Sequence, residues 1–225
     1  MTMGRVHRLI IISAIFTIHV MLPPASAPAE LIREPVWAGK FYPADRAALQ
    51  HTLRALTRKA EKDPLDVPAG KTLKALVLPH AGYVYSGWTA AQGCRTLLGR
   101  RYRKVVLLGP DHRVGFRNGA ISDAQAWQTP LGVIHLHGDA RALRNRSARF
   151  QSIPESDRTE HSLEVILPFL QHHLGDFKLV PIALGPGNIP RLASDIDSLL
   201  DACQRLVGEP SGQSDGGKES VSGGC

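Results

Sequence analysis

Two histidines each follow a short apolar run that ends in a breaker of regular structure. His80 follows the apolar run 75–78 and a proline, and His112 follows the run 105–108 and the sequence Gly-Pro-Asp. Unbroken apolar runs of this length are typical of strands that are covered on both faces. If the two strands are parallel neighbours, both imidazoles reach one crevice at the carboxyl edge of the sheet. The pair would then form half of a site for a divalent metal such as iron, copper or zinc.

Either histidine alone would be read differently, because a single histidine in a loop is more often a surface or hydrogen-bonding residue than a ligand. The prediction of a shared site therefore depends on the repeated context of His80 and His112, in which strand, breaker and histidine follow one another twice.

A third polar set lies further along the chain, where Glu160, His161 and Glu164 precede an apolar stretch. The two glutamates are one helical turn apart and could share a face, with His161 beside them. Asp157 stands three residues before Glu160, which is the spacing of a capping box. The spacing favours a solvated, acidic beginning of a helix. We expect Pro168 to kink that helix.

Helices and strands must hold these residues in place. Residues 46–59 predict a helix capped by Asp45, and residues 86–98 predict a crossover helix between the two histidine-bearing strands. Two more helices and a third apolar strand are expected at 140–149, 191–206 and 177–184. This order predicts an α/β fold, with a mostly parallel sheet and helices on both faces.

Length and composition are those of an ordinary globular domain. The chain has 225 residues, of which 43% are hydrophobic and 21% are charged. Its net charge of +7 and pI near 9.6 permit contact with anions, but the basic residues form no nucleic-acid-binding motif, so no nucleic-acid partner is expected. The three cysteines are too few and too scattered for a disulfide framework or a CxxC zinc site.

The two ends of the chain differ in composition from the rest. Residues 1–29 have the pattern of an export signal, with a basic beginning, an apolar run over 9–22 and small residues at an Ala-x-Ala site. That run is short for a transmembrane helix, so we expect a periplasmic or extracellular domain over 30–207. An uncleaved amphipathic anchor is the alternative. Residues 208–225 are rich in glycine and serine and predict a disordered tail.

Five short motifs follow one another between residues 37 and 185. They are Ala38-Gly-Lys-Phe-Tyr-Pro43, Pro79-His-Ala-Gly-Tyr83, Leu108-Gly-Pro-Asp-His112, Thr129-Pro-Leu-Gly132 and Glu160-His-Ser-Leu-Glu164. This series resembles the Memo-like family, called AmmeMemoRadiSam system protein B in bacteria. The resemblance implies the α/β fold of the class III extradiol (LigB-like) aromatic-ring dioxygenases. It also implies that His80 and His112 are metal ligands and that His161 matches a second-sphere or proton-transferring residue.

The resemblance stops before the chain does. In the family the third metal position is a late cysteine, which follows a further strand and a Ser-Ser-Asp-x-Ser-His-Tyr motif. Neither that motif nor that strand is found here, and Cys203 and Cys225 lie in no such context. The chain thus resembles the front two-thirds of a family member, truncated at its C-terminus, with an incomplete metal site.

Three functions are compatible with these observations. The first is a metal-site protein of unknown substrate with a redox or dioxygenase-like role. The second is a non-enzymatic protein that binds a small molecule or a protein partner in the same crevice, and the third is an inactive truncated product. The bacterial name of the family implies an association with radical-SAM and AMMECR-type proteins, which would be pathway partners.

Overall fold

The computed structural model describes residues 30–65 and 73–207, with the backbone alone from 199 to 207. The expected export signal at 1–29 and tail at 208–225 lie outside the described residues and stay predictions. The strands are β1 (Ile32–Arg33), β2 (Lys104–Pro110), β3 (Gly119–Ala120), β4 (Ala126–Thr129), β5 (Gly132–His135), β6 (Phe150–Gln151) and β7 (Lys178–Leu184). The helices are α1 (Arg46–Ala60), α2 (Tyr83–Cys94), α3 (Gly138–Arg146), α4 (Pro154–Thr159), α5 (Leu167–Leu174) and α6 (Ile189–Val207).

The strands form two mixed sheets, with the orders β2-β7-β3-β6 and β1-β4-β5. Strand β7 is parallel to β2 and antiparallel to β3, and β4 is antiparallel to β5. The α/β class is confirmed, but the prediction of a mostly parallel sheet is wrong. Only two residues connect β4 to β5, and so short a connection can join only antiparallel strands.

The segment that carries His80 is not the predicted strand. Residues 73–80 run without regular secondary structure and pair with no strand, so the expected crossover between two parallel strands is absent as well. Leu76 and Leu78 are half-buried, whereas the Val77 side chain between them is 99% exposed. The apolar run therefore alternates between core and solvent, and its composition alone did not reveal this alternation.

Two helix predictions at the ends of the domain agree with the structure. Helix α1 begins after Asp45, whose Oδ1 accepts a hydrogen bond from the amide of Ala48 at 2.8 Å. Leu49 and Leu53 on this helix are fully buried. The predicted third strand is β7, and the predicted helix after it is α6.

The predicted boundaries around residues 138–168 need correction. Helix α3 begins at Gly138, before the predicted start at 140, ends at Arg146, and is capped by His137. There is no capping box between Asp157 and Glu160, because α4 already begins at Pro154 and Glu160 follows its last residue. Proline favours the first turn of a helix, so Pro168 lies at the beginning of α5 and does not kink it.

Strand β7 separates two hydrophobic clusters. Leu179 and Ala183 face a cluster that contains residues of α1, α2 and α5. Val180 and Ile182 alternate with them and face a second cluster, which contains residues of α3 and α6. Helices thus cover both faces of β7. Within the described part of the chain, no helix combines the length and apolar character that a membrane crossing requires.

Candidate metal centre

His80, His112 and His161 come together beside the end of β2. One ring nitrogen from each lies within 4.8 Å of one from each of the others. The ring centroids are 5.2 Å apart for His80 and His112, 5.8 Å for His80 and His161, and 4.5 Å for His112 and His161. We call these three residues the His cluster. The structure thus brings the two predicted metal ligands together and adds the residue predicted to transfer protons.

The loop that carries His112 is fixed by Asp111, its neighbour. The Asp111 amide donates to the carbonyl of Leu184 on β7 at 2.8 Å, which continues the contact between β2 and β7. The Asp111 carboxylate accepts from the amides of Arg113, Val114 and Gly115 at 3.3, 3.1 and 2.6 Å. This turn holds His112 just after the end of β2, with its side chain 36% exposed.

Glu160 connects two members of the His cluster. Its Oε1 accepts from the amides of His161 and Ser162 at 2.8 and 2.7 Å and lies 3.0 Å from His112 Nδ1. Its Oε2 accepts from the amide of His112 at 2.7 Å. Burial alone would raise the pKa of this carboxyl, but the hydrogen bonds from His112, Ser162 and His161 outweigh it and lower the pKa to about 2.

The ionised Glu160 sets the tautomer of His112. A carboxylate can only accept hydrogen bonds, so His112 Nδ1 must carry the proton that it shares with Glu160. In the neutral ring, the other nitrogen, Nε2, then keeps its lone pair. Carboxylates in this position commonly orient metal-binding histidines.

Burial lowers the pKa of His161 most strongly; among its charged neighbours Glu160 raises that pKa, while His112, His80 and Arg113 lower it. Burial, and then His112, also lower the pKa of His80, while Glu160 raises it. Both shifts favour the neutral imidazole, which is the form that binds metals. His161 Nδ1 is buried and lacks a hydrogen-bond partner, although Glu160 Oε1 lies 3.3 Å away in a poorly aligned position.

A comparison with known families tests the family membership that the five sequence motifs suggested. The family model described as Memo-like protein matches residues 33–200. The chain belongs to the Memo-like family. A MEMO1 family protein from Thermotoga neapolitana is 38% identical to this Memo-like chain over 175 residues. MEMO1 family proteins from Aquifex aeolicus and Nitrosopumilus maritimus are 36% and 32% identical over 154 and 173 residues.

These alignments cover most of the Memo-like chain but less of its relatives. They include 74%, 68% and 76% of this chain, and 62%, 55% and 62% of the proteins from T. neapolitana, A. aeolicus and N. maritimus. The chain therefore spans less than two-thirds of the length of these relatives. The expected C-terminal truncation stays a prediction.

The His cluster fits a divalent transition metal by its donors. Neutral imidazoles suit iron, copper and zinc. The buried and unpartnered Nδ1 of His161 shows that this ring has an unused donor or acceptor beside the cluster. The sequence-based expectation assigned no third ligand among the described residues of this Memo-like chain. The structure places a third imidazole, that of His161, beside the other two. In the sequence, this residue was marked by the Glu-His-Ser motif at 160–162.

The solvated acidic helix predicted for Glu160 and Glu164 is wrong, because both side chains are buried. The Glu164 side chain is 0% exposed, and its Oε2 forms an ion pair with Arg33 at 2.7 Å. Its Oε1 accepts from the Tyr42 hydroxyl and the Trp37 amide, each at 2.7 Å. Glu164 therefore fixes the segment 33–42 against the back of the site.

Proposed function

We propose that this Memo-like chain binds one divalent metal at the His cluster and uses it in a redox or dioxygenase-like reaction on a small molecule. The observation that carries the proposal is the convergence of His80, His112 and His161, with one ring nitrogen of each within 4.8 Å of the others. Iron, copper and zinc are the metals that three imidazoles suit. Protein sites with three such ligands commonly leave a further position for water or substrate.

The side chains around the cluster support this role. When bound, a metal would act as a Lewis acid or a redox centre. Glu160 would hold His112 in the tautomer that leaves Nε2 available. The solvent-facing side of His112, 36% exposed, would admit substrate. Phe41, whose ring centroid is 4.8 Å from that of His161, would shield part of the cluster from water.

His161 has two alternative roles in this proposal. Its place in the cluster supports a role as third ligand. The resemblance to extradiol dioxygenases instead implies a proton-transferring residue, and the lowered pKa of His161 would keep the ring neutral and able to accept a proton near neutral pH. Metal titrations distinguish the two roles.

The first experiment titrates the metal-free protein with Zn²⁺, Cu²⁺ and, without oxygen, Fe²⁺. We expect His80→Ala and His112→Ala to lower the affinity by more than about 100-fold, because even outer-shell partners are worth about 10- to 100-fold. His51→Ala changes an exposed histidine on α1 and serves as the matched control. His161→Ala should cause an equal loss if His161 is a ligand and almost none if it only transfers protons. Failure of all three metals to bind the wild type would overturn the proposal.

The second experiment tests turnover. The iron(II)-loaded protein is incubated with catechols and oxygen, and the ring-opened product is followed by its absorbance. Activity above that of His80→Ala would support the dioxygenase-like role. Metal binding without turnover would favour the non-enzymatic binding role.

A binding role is the second candidate because three apolar residues that flank His80 in the sequence are highly exposed. Val77, Val84 and Tyr85 are 99%, 90% and 88% exposed. They lie on the segment 73–80 and in the first turn of α2, on either side of His80 in the sequence. Where such side chains form one exposed apolar patch, a ligand or protein partner typically covers it.

We further propose that the protein is exported, on the strength of the basic, apolar and small-residue pattern of residues 1–29. N-terminal sequencing of the native product is expected to begin between Pro28 and Glu30. A soluble product that retains residues 1–27 would contradict export.

The proposed pathway association with radical-SAM and AMMECR-type proteins rests on the bacterial name of the family, and co-purification from the native source tests it.

A further inference from the structure

Two cationic side chains lie beside the His cluster, around the ring of Trp37. The guanidinium carbon of Arg113 is 4.8 Å from the Trp37 ring centroid, and Lys40 Nζ is 5.3 Å from it. The Trp37 ring is in turn 5.6 Å from the ring of His161. Arg113 also follows His112 directly in the chain. Both positive charges therefore stand at the rim of the site.

No carboxylate of the described residues neutralises these two cations. Neither Arg113 nor Lys40 forms an ion pair there. Two acids near Arg113 have other partners: Asp111, two residues earlier, accepts from three backbone amides, and Glu160, which contacts His112, accepts from that residue and from two further amides. Arg113 and Lys40 are thus exposed cations without an ion-pair partner among the described residues, and they would attract an anion to the rim.

Hydrogen bonds hold Trp37, the residue on whose ring the Arg113 guanidinium stacks. The Trp37 amide donates to Glu164 Oε1 at 2.7 Å, and Trp37 Nε1 donates to the carbonyl of Thr159 at 3.2 Å. A guanidinium that stacks on a fixed indole keeps its N–H edge free, and this edge matches a carboxylate with two parallel hydrogen bonds. Stacking therefore prepares Arg113 for an acidic group.

Trp37 and Phe41 form an aromatic wall beside the His cluster, and Arg113 stacks on the Trp37 end of it. Their ring centroids are 4.8 Å apart in an edge-to-face arrangement, and Phe41 lies 4.8 Å from His161. Flat apolar groups pack well against such a wall. The wall and the cations together suit a molecule with one acidic end and one planar, apolar body.

We infer that the site selects a small planar carboxylate, whose acidic group binds Arg113 with help from Lys40 and whose body lies along the aromatic wall toward the His cluster. The inference rests on the proposed function in one respect, namely that the His cluster is the reacting end of the site. The recognition of the anion itself depends on Arg113, Lys40 and the wall, and it needs no metal.

Benzoate and benzamide test this inference, because they have the same planar body and differ in charge. Each is titrated into the metal-free full chain, with chelator present, and binding is followed by nuclear magnetic resonance shifts. We expect benzoate to bind the wild type at least about tenfold more tightly, as hydrogen bonds to charged groups are the stronger ones. Arg113→Gln should remove this preference, and Lys40→Gln should reduce it by a smaller factor.

The matched control is Arg117→Gln, which removes the same charge from an exposed arginine on the same loop that does not stack on Trp37. Its preference for benzoate should equal that of the wild type. Equal binding of benzoate and benzamide by the wild type, or an equal loss in Arg113→Gln and Arg117→Gln, would overturn the inference. Arg113→Lys keeps the charge without the guanidinium fork and should show an intermediate preference; an unchanged one would overturn the two-bond recognition.

A zinc titration separates this inference from the proposed function. Arg113→Gln should bind zinc like the wild type, since Arg113 is not a member of the His cluster, and this result also shows that the variant is folded. If the wild type binds no metal but prefers benzoate, the proposed function fails and the anion site stands. If it binds metal without preferring benzoate, the anion site fails and the metal site stands.

Discussion

Glu160 and Glu164 are four residues apart and both are buried, with 4% and 0% of the side chain exposed, yet their surroundings differ. Glu160 accepts from backbone amides of its own segment and from one imidazole, which faces solvent on its other side. Glu164 is enclosed by a guanidinium, a phenol and amides from the segment 33–42, more than a hundred residues away.

The difference indicates a division between folding and function. Glu164 joins two distant parts of the chain through a buried ion pair with Arg33, so its loss should mainly affect stability. Glu160 is compensated largely by local amides, and its remaining contact orients His112. Its loss should affect the site directly, in addition to the stability that its lowered pKa indicates. The following substitutions test this division, from the largest expected effect to the smallest.

Glu164→Ala is expected to lower the free energy of unfolding by about 3–5 kcal/mol, because it leaves the buried Arg33 without its counter-charge. Urea unfolding of the metal-free protein measures the change. Glu155→Ala, which removes an exposed ion pair with Arg158, is the control and should cost less than about 1 kcal/mol. Equal losses for the two variants would show that Glu164 does not connect the domain.

Glu160→Gln is expected to lower the affinity for Zn²⁺ by about 10- to 100-fold, since the amide no longer fixes the proton on His112 Nδ1. Zinc titration measures the affinity, and the ¹⁵N shifts of the His112 ring report the tautomer. Glu164→Gln serves as comparison where it stays folded, and it should change zinc affinity less. Unchanged ring shifts and affinity in Glu160→Gln would contradict the orienting role.

The pH dependence of stability should carry the signature of Glu160. Its pKa is about 2 in the folded protein, against an ordinary 4.5, so the unfolded chain takes up the proton first as the pH falls. The stabilisation by Glu160 is complete above about pH 4.5 and is lost as the pH falls toward 2. The difference in stability between wild type and Glu160→Gln should thus be constant from about pH 6 to 4.5 and smaller at about pH 3. A difference that grows on acidification would contradict the assignment.

Tyr42→Phe removes one of the hydrogen bonds to Glu164 and should lower stability by about 1–2 kcal/mol, because the acceptor is charged. Burial, and then Glu164, raise the pKa of Tyr42, so its hydroxyl stays protonated and can donate at neutral pH and below. Tyr83→Phe is the matched control, since the Tyr83 hydroxyl donates to the neutral carbonyl of Val165 at 2.9 Å. Its loss should be smaller, and thermal or urea unfolding compares the two. A larger loss for Tyr83→Phe would indicate that the charge of Glu164 adds nothing.

The sequence by itself determined the elements that local signals specify. Asp45 predicted the beginning of α1, and the apolar runs at 105–108 and 177–184 predicted the strands β2 and β7. The family followed from short motifs because those residues stand in a fixed order along the chain. Capping, apolar runs and motifs are all properties of neighbouring residues, so they can be read without the fold.

Tertiary structure alone decided which of these residues meet and which are buried. The sequence showed that Glu160 and Glu164 could share a helical face, but it gave no sign that both would be enclosed. His161 entered the cluster because Glu160 joins its segment to His112, 48 residues earlier. The reversed direction of β3 and the exposure of Val77 likewise depend on partners far along the chain. Spacing fixes faces within one element, whereas burial and charge pairing depend on what packs against that face.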